Sequence, residues 1–427
     1  MEAPAALEHL DELFERAAGA RYVLLGEATH GSDEFYRERA ALTRRLIAQA
    51  GFTAVAIEGD WPAAHRVNRW VRGTGGDAAA EQALGDFRRF PAWMWRNEPV
   101  AEFLSWLRAH NAERPPHATA AGFYGLDLYS PRTSMEAVVA HLRELDPAAA
   151  QRARERYACF DHFGRDPTVY GLQTGIAGAE SCERQVVEQL VELRDRAAGI
   201  AAGAATAGDD DAAFYAEQNA RLVVNAERYY RAMFGGGIES WNVRDSHMAE
   251  TLDELVAHLE RRNRGPAKVV VWAHNTHLGD ARATETHREG ELSLGQLVRE
   301  RAGAQTLIVG FTTYAGTVTA ASEWGGEAER RRVRPALPGS WEELLHRQGA
   351  ARLLLDTAEL PGERLQRAIG AIYSPQTERV SHYLRARIAE QFDAVVHIDE
   401  TRALRPLEVT SAWESGELPA GEPPTAP

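Results

Sequence analysis

The sequence predicts an α/β fold: a central, mainly parallel sheet flanked by helices, with a helical insertion placed to act as a lid. Three observations predict it. Short apolar runs recur along the chain and are continuous rather than alternating, as in strands buried on both faces. The first two runs are separated by a segment of helical period. The strand signal then vanishes between about residues 131 and 258.

The N-terminal Leu7, Leu10, Leu13 and Phe14 fit one face of a short amphipathic helix. Residues 1–19 lack an apolar core of the signal-peptide kind, so no leader is expected. Strands are expected at Tyr22–Leu25, Ala54–Ile57, Ala120–Tyr124, Lys268–Trp272, Thr306–Phe311, Leu353–Leu355 and Ala394–Ile398. Between the first two, Phe35, Leu42, Leu46 and Ile47 form a helical stripe, so residues 22–57 make a βαβ unit. Residues 1–130 and 241–410 are therefore read as one discontinuous core domain. Within the intervening insertion, 131–240, Val138, Val139 and Leu142, then Val186, Val187, Leu190 and Leu193, have helical spacing. The Ala/Gly/Asp-rich stretch Ala198–Asp211 reads as a mobile loop, Gly235–Gly237 as a second break, and 411–427 as a disordered tail. There are no internal repeats.

Composition narrows the function classes. A formal charge of −14 argues against nucleic acid or an anionic membrane as the main partner, since both demand basic patches. No run of eighteen apolar residues marks a membrane span. Cys159 and Cys182 match no zinc spacing and no disulfide framework; they read as ordinary intracellular thiols, and a cytoplasmic location is the default.

The chemistry lies at the strand exits. Glu27 and His30 follow the first strand, within Gly26-Glu27-Ala28-Thr29-His30-Gly31. Glu58 and Asp60 follow the second, Asp127 the third, and Ala273-His274-Asn275-Thr276-His277 the fourth. Open α/β sheets bind ligands outside the carboxyl ends of their strands, so these groups converge if the strands run parallel. Arg39, two turns into the helix after His30, can face the same crevice, whereas Arg37, Arg44 and Arg45 read as a solvated face. No Gly-x-Ser-x-Gly, His-Glu-x-x-His, P-loop or Gly-x-Gly-x-x-Gly motif is present. What remains is carboxylate, imidazole and guanidinium chemistry, suited to water activation by a histidine that a carboxylate orients.

In this order, with Arg39, Ile57-Glu58-Gly59-Asp60 and Trp241-Asn242-Val243-Arg244-Asp245, the motifs resemble the erythromycin esterase family from about Arg21 to Ile398. The resemblance implies hydrolytic opening of an ester or macrolactone without a covalent intermediate. It implies His30 as general base, Glu27 holding it, and Glu58 supporting the water or the imidazole. His274 and His277 would complete the crevice, and Arg39 would lie near the oxyanion. No cofactor or metal is implied, and the partner is a small-molecule ester or lactone.

Bland readings stand beside these. Asp127 is either a pocket acid or a turn acid, and Tyr314 either lines the crevice or packs. Trp93, Trp95 and Trp106 are either aromatic pocket walls or core; Trp93, with Asp127 and Tyr314, is taken as a substrate-binding candidate. Arg244-Asp245 reads as an interhelical ion pair rather than a catalytic element. Two rival functions remain: a divalent-metal hydrolase of another substrate class using the same Glu/His cluster, and a non-catalytic binding protein for a small ligand.

Overall fold

A computed structural model describes residues 4–115, 118–164, 166–201, 207–235 and 238–416. Among the described residues ten strands form: β1 Tyr22–Leu25, β2 Ala54–Asp60, β3 Gly122–Asp127, β4 Val269–Trp272, β5 Thr306–Ala320, β6 Glu329–Val333, β7 Arg352–Asp356, β8 Arg364–Arg367, β9 Tyr383–Ala386 and β10 Ala394–Thr401. The main sheet has the order β3-β2-β4-β1-β5-β10-β7, with β6 paired to the far end of β5 and β8-β9 forming a separate ribbon. The six strands from β3 to β10 run parallel; β7 and β6 are antiparallel additions.

The topology explains how residues distant in sequence meet. The βαβ unit forms as expected, but β1 and β2 are not neighbours. β4 enters between them, Val270 opposite Val23 on one side and Val55 on the other. The exits of β2, β4 and β1 are thus side by side at one edge, which is where a switch-point ligand site belongs.

Alternation of side chains along each strand divides the core in two. Val23, Leu25, Ile57, Trp272 and Phe311 face the helices Asp33–Gln49 and Glu98–Ala112. Leu24, Ala56, Val271 and Ile308 face the helices Glu239–Asn263 and Leu294–Ala302. Both faces are covered, which is why the strands read as unbroken apolar runs.

Helices Pro131–Leu145, Pro147–Tyr157, Pro167–Gly175, Glu183–Ala201 and Ala207–Met233 follow β3, and Val138, Leu142, Ala153, Val186 and Val223 build a small core among them. Several expectations need correction here. Helix continues to Ala201 and resumes at Ala207, shortening the expected loop at 198–211; residues 202–206, like 236–237 of the second break, lie outside the described residues. The tail is not disordered from 411: Ser411–Ser415 is helical, and buried Trp413 donates from Nε1 to Thr319 Oγ1 at 2.8 Å. Residues 417–427 lie outside the described residues. The third strand starts at Gly122, later than expected. Cys159 and Cys182 are joined in a disulfide, with Cα atoms 5.9 Å apart, not ordinary thiols. Helix packing closed a gap of 23 residues that spacing rules do not register, and the thiol argument for location falls away. No helix among the described residues is long and apolar enough to cross a membrane.

Candidate active site

The β1 exit is shaped by close backbone approach. A Cβ on Gly26 would lie 2.1 Å from Asn275 Oδ1, and one on Gly31 would lie 1.8 Å from the Thr319 carbonyl oxygen. The loop between these glycines is pinned on both sides. Asn275 N donates to Glu27 O at 2.8 Å, tying the β1 exit to the β4 exit, and His30 N donates to Ile369 O at 3.2 Å.

Three side chains then form a chain of contacts. Arg39 Nη2 donates to Glu27 Oε2 at 2.6 Å, and Glu27 Oε1 lies 2.9 Å from His30 Nδ1. An ionised carboxylate only accepts, so Nδ1 carries the proton and Nε2 is left with its lone pair. Arg39 and Glu27 are fully buried. The guanidinium packs over Tyr36 at 4.3 Å and Trp272 at 5.3 Å, and Tyr36 Oη donates to His30 O at 3.0 Å. The helix places Arg39 on the buried stripe with Phe35, Leu42 and Leu46, while Arg37 turns outward to Asp33 and Glu102.

His30 Nε2 faces Glu58 Oε1 at 3.9 Å, too far for a direct hydrogen bond and within the span of one bridging water. Both side chains line a cavity of about 160 Å³. Glu58 is held from three directions. Arg244 Nη2 donates to Oε1 at 2.7 Å, His274 N donates to Oε2 at 2.9 Å, and His277 Nε2 lies 3.4 Å from Oε1. Burial alone would push the Glu58 carboxyl up, but His277, Arg244 and His30 outweigh it and hold it well below its usual range.

Arg244 also grips Asp127, Nη2 to Oδ2 at 2.6 Å and Nε to Oδ1 at 3.1 Å. Against the effect of burial, the guanidinium keeps Asp127 ionised. His277 stacks on Trp241 at 4.4 Å, and its Nδ1 donates to Asp245 at 2.9 Å. Burial lowers the His277 pKa, but Asp245 and Glu58 outweigh it and raise it to about 9, with Arg244 opposing. Its Nε2, 2.9 Å from Arg244 Nη1, accepts from Arg244 when unprotonated and donates to Glu58 when protonated. His274 differs. Its Nδ1 accepts from Thr276 N at 3.2 Å, its ring lies 5.0 Å from that of His30, and burial together with His30 pushes it down to about 3. It is a buried neutral ring beside His30, and neither it nor His277 is among the residues that line the cavity.

Glu27, His30, Glu58, His274 and His277 therefore meet, and Asp127 joins them through Arg244. Four expectations need correction. Arg39 does not reach the cavity; it sits behind Glu27 with no surface, so it cannot touch an oxyanion. Tyr314 stacks on His346 at 3.7 Å, away from the cavity. Trp93 packs edge-on beneath Phe90, while Trp95 and Trp324 line the cavity, Trp95 Nε1 donating to Glu58 O at 3.0 Å. Arg244 and Asp245 do not pair with each other but with Asp127, Glu58 and His277. Neighbouring residues on a helix point about 100° apart, a geometry that already separates their partners.

The chain has clear relatives. A family model described as erythromycin esterase matches residues 47–401. Erythromycin esterase type II of Escherichia coli is 24% identical, covering 93% of this chain and 95% of that protein. A solved succinoglycan biosynthesis protein superposes with TM-score 0.70 at 21% identity, covering 93% of this chain and 92% of that one. The erythromycin esterase EreC, a histidine-to-asparagine mutant in its open conformation, superposes with TM-score 0.68 at 19% identity over 96% and 97% of the two chains.

Proposed function

Since this chain belongs to the erythromycin esterase family, we propose that it hydrolyses a carboxylic ester or lactone with water activated by His30. The observation that carries the reading is the buried Arg39–Glu27–His30 series, which leaves His30 Nε2 open to the cavity opposite Glu58.

In the proposed reaction a water between His30 Nε2 and Glu58 gives its proton to Nε2 while its oxygen bonds to the carbonyl carbon. The carbonyl π pair moves to oxygen. The imidazolium is stabilised by Glu27 on one side and Glu58 on the other. When the intermediate collapses, the acyl–alkoxy bond breaks and His30 returns the proton to the leaving alkoxide, giving an acid and an alcohol. Arg39 serves as a positioning residue that fixes the Glu27 rotamer. Arg244 is the cation of this cluster that lines the cavity; Nε and Nη2 are taken up by Asp127 and Glu58, and we assign to the Nη1 N–H not directed at His277 the oxyanion role expected of Arg39. No covalent intermediate is invoked.

The same geometry favours chemistry without a metal. The Arg244 guanidinium already fills the cationic position between Glu58, Asp127 and His277. Among the described residues, no cluster of three or more His, Cys, Asp or Glu side chains is arranged to hold a metal. The insertion, proposed as the ligand-selecting lid, supplies Pro131, Thr133 and Pro167 to a cavity next to the site. Macrolactones are one candidate substrate class, which would make the protein an antibiotic-inactivating enzyme.

The test is mass spectrometry of an ester and lactone panel, macrolides included, incubated with the protein with and without EDTA. A product heavier by one water in both arms upholds the reading. Activity abolished by EDTA and restored by a divalent metal overturns it in favour of a metallohydrolase, and no turnover of any member favours a binding protein.

A further inference from the structure

Two cavities meet at Asp60, Arg89 and Tyr129. One, of about 160 Å³, holds His30 and Glu58; the other, of about 460 Å³, opens beside it. Arg89 stands on the shared wall with its guanidinium 3.7 Å from the centroid of the Tyr129 ring. Among the described residues it makes no ion pair, and its one hydrogen bond there is a long 3.4 Å contact to its neighbour's carbonyl, Phe90 O. None of its nitrogens is sealed from solvent without a partner, so its unpaired N–H groups open onto cavity space.

Most of the other charges on these walls are paired. Arg244 is taken up by Asp127 and Glu58, and Asp86 is paired with Arg66 at 2.7 Å. Arg88 adds positive charge to the larger cavity. Asp60 opposes this charge, although burial, only partly offset by Arg89, moves its carboxyl up to about 6. In a chain of net charge −14, a guanidinium that no carboxylate of the described residues pairs thus stands beside the most reactive residues.

We infer that Arg89 anchors a carboxylate, or another planar oxyanion, carried by the substrate whose ester lies at His30. The inference rests on the ester-hydrolase reading and narrows it to acidic esters and lactones, as opposed to amine-bearing ones. The Tyr129 ring supports the guanidinium at 3.7 Å, and a guanidinium can bind a carboxylate through two N–H groups at its edge. An anion here gains a charge-assisted pair, whereas an ammonium group meets repulsion in a partly desolvated site.

The test uses p-nitrophenyl hemiesters of succinic, glutaric and adipic acids, with p-nitrophenyl butyrate as the neutral member and the p-nitrophenyl ester of a dimethylamino acid as the cationic one. For the wild type, kcat/KM on the best hemiester should exceed that on the neutral ester by about tenfold or more. Arg89→Gln should lower that ratio by about ten- to hundredfold, mainly through KM, and Arg89→Lys should retain part of it. Equal rates on all three charge classes, or an unchanged ratio in a folded Arg89→Gln, would overturn the inference. The wild-type preference needs no variant to fold. If no ester in the panel turns over, the hydrolase reading fails, and calorimetric binding of glutarate and adipate decides the anion site separately. Binding that Arg89→Gln abolishes upholds it; no binding to the wild type overturns it.

Discussion

Glu27→Gln exchanges one oxygen for an amide nitrogen and, with it, the proton inventory of His30. Arg39 has only N–H groups, so the amide oxygen must take the Oε2 position, 2.6 Å from Arg39 Nη2. The NH₂ group then falls at the Oε1 position, 2.9 Å from His30 Nδ1. Nδ1 is forced to accept, the proton moves to Nε2, and the nitrogen facing Glu58 can no longer take a proton from water. A comparable wrong-tautomer exchange in a serine-protease triad lowers kcat by about 10⁴-fold, so a loss on the order of 10³–10⁴ is expected, about 4–5 kcal/mol in the barrier. The exchange also strands a buried guanidinium, at about 3–5 kcal/mol of stability. The Glu27→Gln/Arg39→Met pair removes both faults: the amide is free to turn its oxygen to Nδ1, and no unpaired charge is left buried. The double variant should therefore be more active and more stable than the Glu27→Gln single. The assay is kcat/KM on the best ester of the panel, with urea unfolding alongside. A folded Glu27→Gln within tenfold of wild type, or a double variant no better than the single, refutes the tautomer argument.

Two further outcomes follow from the same geometry. His277, raised to about 9 in the fold, binds its proton more tightly folded than unfolded, where imidazole titrates near about 6.5. Its contribution to stability is therefore complete below about pH 6.5, fades as pH rises toward 9 and is lost above, at most roughly 3 kcal/mol. Urea unfolding across that range should show the decline, and Asp245→Asn should flatten it. Gly31→Ala should cost about 3 kcal/mol or more, because the added carbon meets the Thr319 carbonyl, whereas Gly19→Ala, with nothing within 4 Å, should be neutral by thermal melt.

Much of the architecture was legible because parallel strands covered on both faces leave unbroken apolar runs. Strand order was not legible: nothing in Val269–Trp272 says that it enters between β1 and β2. The short polar strands β6, β8 and β9 were missed for the opposite reason, since Glu329–Val333 carries three arginines and no apolar run. At the site, the strand-exit rule found Glu27, His30, Glu58, His274 and His277, because each follows an apolar run directly. It could not rank Arg39, whose helix face is clear but whose depth behind Glu27 depends on packing. Arg244 and Arg89 escaped it, since one lies in a long helix and the other in a loop, and neither follows a strand. Arg244 had one weak sequence signal, since Trp241–Asp245 already belonged to the motif set that carried the family resemblance, and Arg89 had none there.

The account stands on His30 as the group that takes the proton from water. The most direct measurement is kcat/KM of a folded His30→Ala on the best ester of the panel, set against wild type under identical conditions. The account predicts a loss of about 10²- to 10⁴-fold or more. Activity within a few fold of wild type would contradict it.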